Sequence, residues 1–388
     1  MENKKHILFI SSWYPNRNNP THGIFNRYFA DAASLHSQIS VLHVCSDDRL
    51  QTDFECVESN ENGVLSVTVY YRKIKSRFPL VSHLLKRKKV LRAFDLGYQQ
   101  LMQKVSKPDL IQLNVVLPMG LGAYHLSQKH KIPYVVNENW SGYCAEDGNY
   151  HGLLMKYLTR KIMRSAKKIM PTSNYLKEAM LAQGLNGSYE VVPNVVNVQR
   201  FKPLEEKVHN TTKLLHISSL NDREKNVSGL LRAFAKALDS DTHLDLTIVG
   251  EGIDKIMYQQ LVKDLKITGN VHFIGRLMAD DLVKTINAND ALIMFSNYET
   301  FSLVIIEAFA CGKPVITSNA GAIAGYMKPQ LGIMVDKSNE YQLKDAILRF
   351  TELKHTFDKH VIRNFAVDNY SYEKIGEKLT AIYQDVLK

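Results

Sequence analysis

The stretch from Ser296 to Pro314, Ser-Asn-Tyr-Glu-Thr-Phe-Ser-Leu-Val-Ile-Ile-Glu-Ala-Phe-Ala-Cys-Gly-Lys-Pro, constrains the fold more than any other part of the chain. A short apolar run, Ala291 to Phe295, precedes it and a second, Pro314 to Thr317, follows, so it reads as a strand-turn-helix-strand unit. Strands joined through a helix run parallel, which makes this half of a parallel α/β sheet. The helix is predicted to begin near Thr300 to Ser302, residue types that cap free N–H groups. It should stop at Gly312, which tolerates the left-handed conformation of helix ends. Its start is an anion-binding site in waiting.

Two carboxylates belong to this unit: Glu299 just before the helix, and Glu307 in its second turn among Ile305, Ile306, Ala308 and Phe309. An acid buried in so apolar a helix is costly without a hydrogen-bond donor, so Glu307 should face a cleft where hydroxyl groups, such as those of a ribose, can reach it. Glu299 would then stand beside whatever is attached to phosphates held at the helix mouth. Read from the residues alone, a second account stays open: Glu307 pairs with a lysine, and Glu299 is a solvated turn residue.

Glu-x7-Glu followed by Ala-Phe-Ala-Cys-Gly-Lys-Pro-Val-Ile resembles the signature of the group 1, family 4 retaining glycosyltransferases, GT-B enzymes that use nucleotide sugars. The resemblance continues through Leu244 to Gly252 and Val271 to Gly275, and on to Ala320 and Gly321. It implies an α/β fold of two facing Rossmann-like domains, the first holding an acceptor and the second the nucleotide sugar, with the last helix crossing back to the first domain. It also implies that Glu307 holds the ribose, that Glu299 orients the donor sugar, and that the backbone at Thr300, Phe301, Ser302 and Leu303 holds the diphosphate. No protein nucleophile and no metal or cofactor are implied, because the departing phosphate accepts the acceptor's proton. Ser302 stands where relatives carry glycine, which points to a tighter sugar pocket.

Taken in order, His6 to Ser12 is a strand, and a Pro/Asn-rich loop from Trp13 delivers Gly23 to a helix through Phe25, Phe29, Ala30 and Leu35. The resemblance places the Gly23 backbone against donor phosphates and Trp13, Tyr14, His22 and Arg27 on the acceptor side; a mere tight turn at Gly23 is the competing account. Strands are predicted at Ile39 to Cys45 and Val64 to Arg72. Arg72 to Arg92 carries nine cations and no acid, with Phe78, Leu80, Val81, Leu84, Leu85, Val90 and Leu91 among its apolar residues. It reads either as a surface for an anionic membrane or as a solvated basic helix face with its apolar side turned inward. A strand at Asp109 to Val116, a helix at Met119 to His130 and a strand at Pro133 to Asn137 open into Glu138-Asn139-Trp140-Ser141-Gly142-Tyr143. Relatives place a histidine next to the donor sugar where Asn139 stands here; an amide can still hydrogen-bond a sugar hydroxyl. Trp140 is assigned to the acceptor side. Leu153 to Lys168, Ile169 to Pro171, Ser173 to Gln183 and Tyr189 to Val192 complete a helix-strand-helix-strand series.

The proline-marked connector Val192 to Pro203 and the polar run Glu205 to Thr212 set the boundary, giving domains at 1–200, with the helix 370–388, and 201–369. The second domain opens with a strand at Lys213 to Ser219 and a helix at Val227 to Leu238. Relatives clamp the pyrophosphate with an arginine and a lysine; Lys225 fits the lysine, Ser219 stands at the arginine, and Arg223 is the candidate replacement. Gly250-Glu251-Gly252 is a tight strand-to-helix turn, with Gly250 on the donor side. Backbone groups at Ile274 should read the nucleobase edge, a plain buried strand end being the alternative. Asp239-Ser240-Asp241 reads as a solvated turn. Helices at Tyr341 to Phe350 and Tyr372 to Leu387 end the chain.

With 388 residues and 45% hydrophobic content the chain can bury two cores. Four cysteines without ligand or disulfide spacing and a polar Met1 to His6 fit a cytoplasmic protein, peripheral on the inner face of the membrane if the basic stretch docks there. The net charge of +10 favours anionic partners, but no nucleic-acid motif accompanies it. The expected reaction is transfer from a UDP- or GDP-type sugar to a glycan or lipid-linked acceptor in surface polysaccharide or glycolipid synthesis. Asn139 and Ser219 keep two rivals open: a nucleotide-sugar-binding subunit that has lost catalysis, and a GT-B epimerase.

Overall fold

Aliphatic and β-branched runs buried on both faces alternate with helices along the chain, the pattern of parallel sheets covered on both sides. The computed structural model describes residues 4–74, 79–205 and 210–388, the side chains of 79–84 and 279 lying outside the description. The elements in order are β1 (His6–Ser11), α1 (Ile24–Ser34), β2 (Gln38–Ser46), β3 (Phe54–Glu61), β4 (Val64–Tyr71), α2 (Pro79–Met102), β5 (Leu110–Asn114), α3 (Gly120–His130), β6 (Tyr134–Glu138), α4 (Leu153–Ser165), β7 (Ile169–Pro171) and α5 (Asn174–Ala182). There follow β8 (Thr212–Ile217), α6 (Asp222–Lys225), α7 (Val227–Leu238), β9 (Leu244–Val249), α8 (Lys255–Asp264), β10 (Val271–Gly275), α9 (Ala279–Asn287), β11 (Ala291–Met294), α10 (Leu303–Ala310), β12 (Val315–Ser318), β13 (Gly332–Val335), α11 (Glu340–Leu353), α12 (Lys359–Tyr370) and α13 (Tyr372–Leu387). These form two compact units, 1–195 with 372–388, and 196–371.

The first unit holds a seven-stranded sheet in the order β3-β4-β2-β1-β5-β6-β7, parallel except for the antiparallel β3–β4 pair. The β3–β4 hairpin was not anticipated from the sequence. Its strand is polar and mostly exposed, so it lacks the apolar run that marks a core strand. The signal was the Asn62-Gly63 dipeptide, whose φ values of 54° and 79° suit a tight hairpin turn. The strand expected at Tyr189 to Val192 reduces to a bridge between Ile169 and Tyr189, with Val192 N–H donating to the Pro171 carbonyl at 3.0 Å. The last helix, α13, belongs to this unit. It buries Ile375, Leu379, Ile382 and Tyr383, and the Tyr383 hydroxyl donates to the Gln112 side chain in β5.

The second unit is a six-stranded parallel sheet in the order β10-β9-β8-β11-β12-β13. Alternation along each strand divides its residues between two faces. Leu214, Leu246, Ile248, Ile293 and Ile316 join α7 and α11 in one core, while Leu215, Ile217, Leu292, Met294 and Val315 join α10 and α12 in the other. Arg363 of α12 donates to the carbonyls of Ala310, Phe201 and Val198, so it closes the carboxyl end of α10 and pins the connector to it. The α10 start differs from expectation: the helix begins at Leu303, and Ser302 takes a left-handed φ of 75° without a side-chain cap.

Because Leu379 is fully buried in the first unit, Leu379→Ala should lower stability by about 2–5 kcal/mol in urea denaturation. A change under about 1 kcal/mol would show that α13 is not part of that core.

Candidate active site

In the second unit the strand order reverses between β8 and β11, and ligands of open α/β sheets bind outside the carboxyl ends of strands at such a switch point. The short helix α6 after β8 supplies Lys225 and the turn after β11 supplies Glu299. Lys225 Nζ lies 2.8 Å from Glu299 Oε1, with both side chains largely shielded from water. Ser296 Oγ donates to the same Oε1 at 2.9 Å. Burial opposes the charge on Lys225, but the adjacent Glu299 carboxylate outweighs it and raises the lysine pKa. His216 lies beneath the pair, its pKa pushed down to about 4 by burial; its Nδ1 is bonded to the Ile293 carbonyl and its Nε2 to Ser218 Oγ. His216 and Ser218 were not read from the sequence, where a histidine in a strand looks like any core position.

The loop before α10 is tied down from several sides. Asn297 N–H donates to the Glu224 carbonyl, Ala322 N–H to the Glu299 carbonyl at 3.0 Å, Ser318 Oγ to the Ser296 carbonyl at 2.6 Å and Tyr326 Oη to the Phe301 carbonyl at 2.6 Å. Phe301 packs against Tyr326 and Tyr370. Thr300, Phe301, Ser302 and Leu303 thus lead into the helix on a fixed path, and the first N–H groups of an α-helix have no intrahelical acceptor.

Glu307 is 4% exposed, and among the described residues its carboxyl has no hydrogen bond or ion pair. The lysine pairing left open by the sequence is therefore absent among those residues. Desolvation alone pushes its pKa up to about 8.

Around these acids, Gly250 takes a φ of 138°, and a Cβ there would stand 1.9 Å from the Ser218 carbonyl, so the turn after β9 closes tightly on the turn after β8. Ile274, at the end of β10, is half exposed rather than a buried strand end. Arg223 and Ser219 are exposed on the β8 turn, and the Arg223 carbonyl accepts from Asn297 Nδ2 at 3.0 Å. Asp239 to Asp241 form the turn after α7.

The acceptor-side residues proposed in the first unit separate into groups. At Gly23, φ 63°, a Cβ would lie 2.4 Å from the Trp13 carbonyl, so glycine is needed there for close packing of the turn itself. Trp13 packs near His22 and edge-on to Phe25, and burial lowers the His22 pKa. Tyr14 is buried against His43, and Arg27 is held by Asp31 at 3.2 Å and Glu61 at 2.9 Å. The charges that neutralise Arg27 lie in α1 and at the end of β3.

The loop after β6 is built on Glu138, a fully buried carboxylate that accepts from Val116 N–H, Asn139 N–H, Trp140 N–H and Tyr143 Oη at 2.9–3.2 Å. Burial nevertheless raises its pKa. Asn139 is thereby fixed at the strand end, and Trp140 packs edge-on to Tyr143 and Tyr150.

Of the basic stretch, residues 75–78, including Lys75, Arg77 and Phe78, lie outside the described residues. Elsewhere the fold brings acids to it: Lys89 meets Asp53 at 2.7 Å, Arg72 meets Asp53 at 3.8 Å and Lys73 meets Asp48 at 3.5 Å. Lys86, Arg87 and Lys88 remain exposed on α2. Among the described residues no helix is long and apolar enough to cross a membrane.

Residues 13–200 match the family model for Glycosyltransferase Family 4, and residues 198–379 match that for Glycosyl transferases group 1. The chain is 27% identical over 245 residues to the GDP-mannose-dependent monoacylated alpha-(1-6)-phosphatidylinositol monomannoside mannosyltransferase of Corynebacterium glutamicum, covering 58% of the chain and 64% of that protein. It is 30% identical over 179 residues to the N-acetyl-alpha-D-glucosaminyl L-malate synthase of Bacillus anthracis, covering 45% and 46%. With the alpha-monoglucosyldiacylglycerol synthase of Streptococcus pneumoniae it shares 22% identity over 297 residues, 72% of the chain and 67% of the relative. The chain thus spans less than two thirds of the length of the first two. In fold it is similar to sucrose-phosphate synthase from Thermosynechococcus elongatus, with TM-score 0.75, 18% identity and 99% of each chain covered. It is likewise similar to Anabaena Alr3699/HepE in complex with UDP and glucose, with TM-score 0.74, 16% identity and 98% and 100% covered. The fold is GT-B.

A carboxyl whose folded pKa is raised lends stability below its ordinary range and loses that contribution as pH rises through the folded value, here about 8. Scanning calorimetry of the ligand-free protein from about pH 5 to about pH 9 should therefore show Glu307→Gln gaining Tm over wild type as pH rises. A pH-independent difference would mean that Glu307 is not buried as described.

Proposed function

The chain belongs to the group 1, family 4 glycosyltransferases, and from that premise we propose that it moves a sugar, with retention, from a nucleotide sugar to a glycan or lipid-linked acceptor. The observation that carries this reading is Glu307, a buried carboxylate without a protein donor among the described residues, in the second turn of a helix whose free end follows Glu299. Vicinal ribose hydroxyls supply the missing donors. Phosphates then rest against the N–H groups after Phe301, where the helix dipole favours negative charge. Lys225, now paired with Glu299, is within reach of the same helix mouth, and Lys225 and Ser296 both bond to Glu299 through Oε1, which directs a donor-sugar hydroxyl to Oε2.

In the reaction the acceptor oxygen forms a bond to the anomeric carbon as the bond from that carbon to the diphosphate breaks on the same face. The acceptor proton passes to the departing phosphate oxygen. Charge builds on the diphosphate, and Lys225 with the α10 amide groups stabilises it electrostatically, Arg223 being the nearest candidate in sequence for a second cation. Asn139, whose amide can hydrogen-bond a sugar hydroxyl, and the acceptor-side Trp140 are held in place through Glu138, with Trp13 and His22 as further acceptor-side members. Gly250 and Ile274 border the nucleoside. The donor is a UDP- or GDP-type sugar, and no metal or cofactor is invoked. The names of two relatives, a phosphatidylinositol mannoside mannosyltransferase and a monoglucosyldiacylglycerol synthase, support a lipid-linked acceptor and a peripheral position at a membrane.

Glu307→Ala should weaken nucleotide diphosphate binding in calorimetry about tenfold to hundredfold, the worth of hydrogen bonds to a charged group; unchanged affinity would remove the ribose assignment. Lys225→Ala should lower kcat roughly 100-fold in release of nucleoside diphosphate from a panel of UDP-, GDP- and ADP-sugars with lipid acceptors. Specific donor binding without turnover across that panel would favour the non-catalytic subunit, and product formed without acceptor would favour the epimerase. Inversion at the anomeric carbon, read by NMR, would overturn retention.

A further inference from the structure

Helix α4 begins with three side chains that the fold leaves in water: Leu153 is 90% exposed, Leu154 67% and Tyr157 62%. The opposite side of the helix is buried through Thr159, Ile162 and Met163, so this apolar tip is carried on an anchored element. Arg160, Lys161 and Arg164 lie exposed one and two turns further on, and no acidic residue occurs from Gly148 to Lys177. Charge of a single sign behind an apolar tip matches an anionic lipid surface, into which apolar side chains sink while cations meet headgroup phosphates. A protein partner would commonly be met by a rim of both signs. Such a mixed rim does surround the other strongly exposed aliphatic pair, Ile253 (84%) and Ile256 (81%), where Glu251, Asp254 and Lys255 stand alongside.

The tip is joined to the loop that follows β6. Tyr150, three residues before α4, donates its N–H to the Gly142 carbonyl at 3.1 Å and packs against Tyr143 and Trp140, while Lys156 lies over the Tyr150 ring at 5.6 Å. We propose that the first two turns of α4 enter the headgroup layer of an anionic bilayer and hold the Glu138–Tyr143 loop at that surface, where a lipid-linked acceptor is presented. The inference rests on the lipid-acceptor reading above and assigns its docking element to α4 rather than to the basic α2.

The test is flotation of the full chain with vesicles of phosphatidylglycerol and phosphatidylcholine, and with phosphatidylcholine alone, at about 0.1 M salt. Wild type should float with the anionic vesicles only. The triple variant Leu153→Ser, Leu154→Ser, Tyr157→Ser should lose at least tenfold in binding with an unchanged Tm, whereas Ile253→Ser, Ile256→Ser should bind as wild type. The proposal is overturned if the triple variant floats normally or wild type does not float. It is equally overturned if Lys86→Glu, Arg87→Glu, Lys88→Glu alone abolishes binding, or if light scattering shows that the triple variant breaks a dimer. On a water-soluble acceptor the triple variant should keep wild-type kcat/KM while losing turnover on a vesicle-borne one. A wild type that turns over neither acceptor would sink the enzyme reading while the vesicle result stood.

Discussion

Parallel pairing of β8 with β11 is the constraint on which the candidate site depends. Parallel strands need long crossovers, so every turn that leaves a strand's carboxyl end lies along one edge of the sheet. At the point where strand order reverses, the turns after β8 and β11 diverge, and two residues 74 positions apart, Lys225 and Glu299, are brought to 2.8 Å. The Gly250 turn closes on the same edge because no side chain intervenes against the Ser218 carbonyl. Arg363 then fixes α10 from its far end, so the orientation of Glu307 follows from packing and not from the loop alone.

Two buried carboxylates show opposite answers to the cost of desolvation. Glu138 is surrounded by three backbone N–H groups and the Tyr143 hydroxyl, an arrangement that shapes a loop and leaves it little else to bind. Glu307 is nearly as hidden from water, 4% exposed against 0%, yet the described residues offer it no donor, and its pKa rises to about 8. An uncompensated buried acid lowers stability unless something external completes it. That difference, and not the presence of acids as such, sets Glu307 apart from Glu138 and supports the ribose role proposed for it.

The positive charge of the chain is distributed by the fold into unlike surfaces. On the strand-rich edge of the first unit, Asp48 and Asp53 neutralise part of the basic stretch that looked unopposed in sequence. On α4 the cations have no acidic neighbour in sequence, and they accompany exposed leucines and a tyrosine. Local sequence charge is thus a poor guide to surface charge wherever a neighbouring loop, here the one between β2 and β3, contributes acids.

Period and turn chemistry are local, and what depends on them was legible in the sequence. Helices Val227–Leu238 and Tyr372–Leu387 stand where they were read, and Glu299 and Glu307 flank a strand-to-helix turn as their spacing required. The polar β3 escaped notice because an exposed edge strand carries no apolar run, and Tyr189 to Val192 carried such a run without a strand to pair along its length. The partners of charged and buried groups were decided only in three dimensions. That Lys225 meets Glu299, that Arg27 reaches Glu61 beyond its helix neighbour Asp31, and that Val116 closes on Glu138 while no donor closes on Glu307 among the described residues, all depend on segments far apart in the chain, whose approach is set by sheet order and helix packing rather than by any pattern within a single segment.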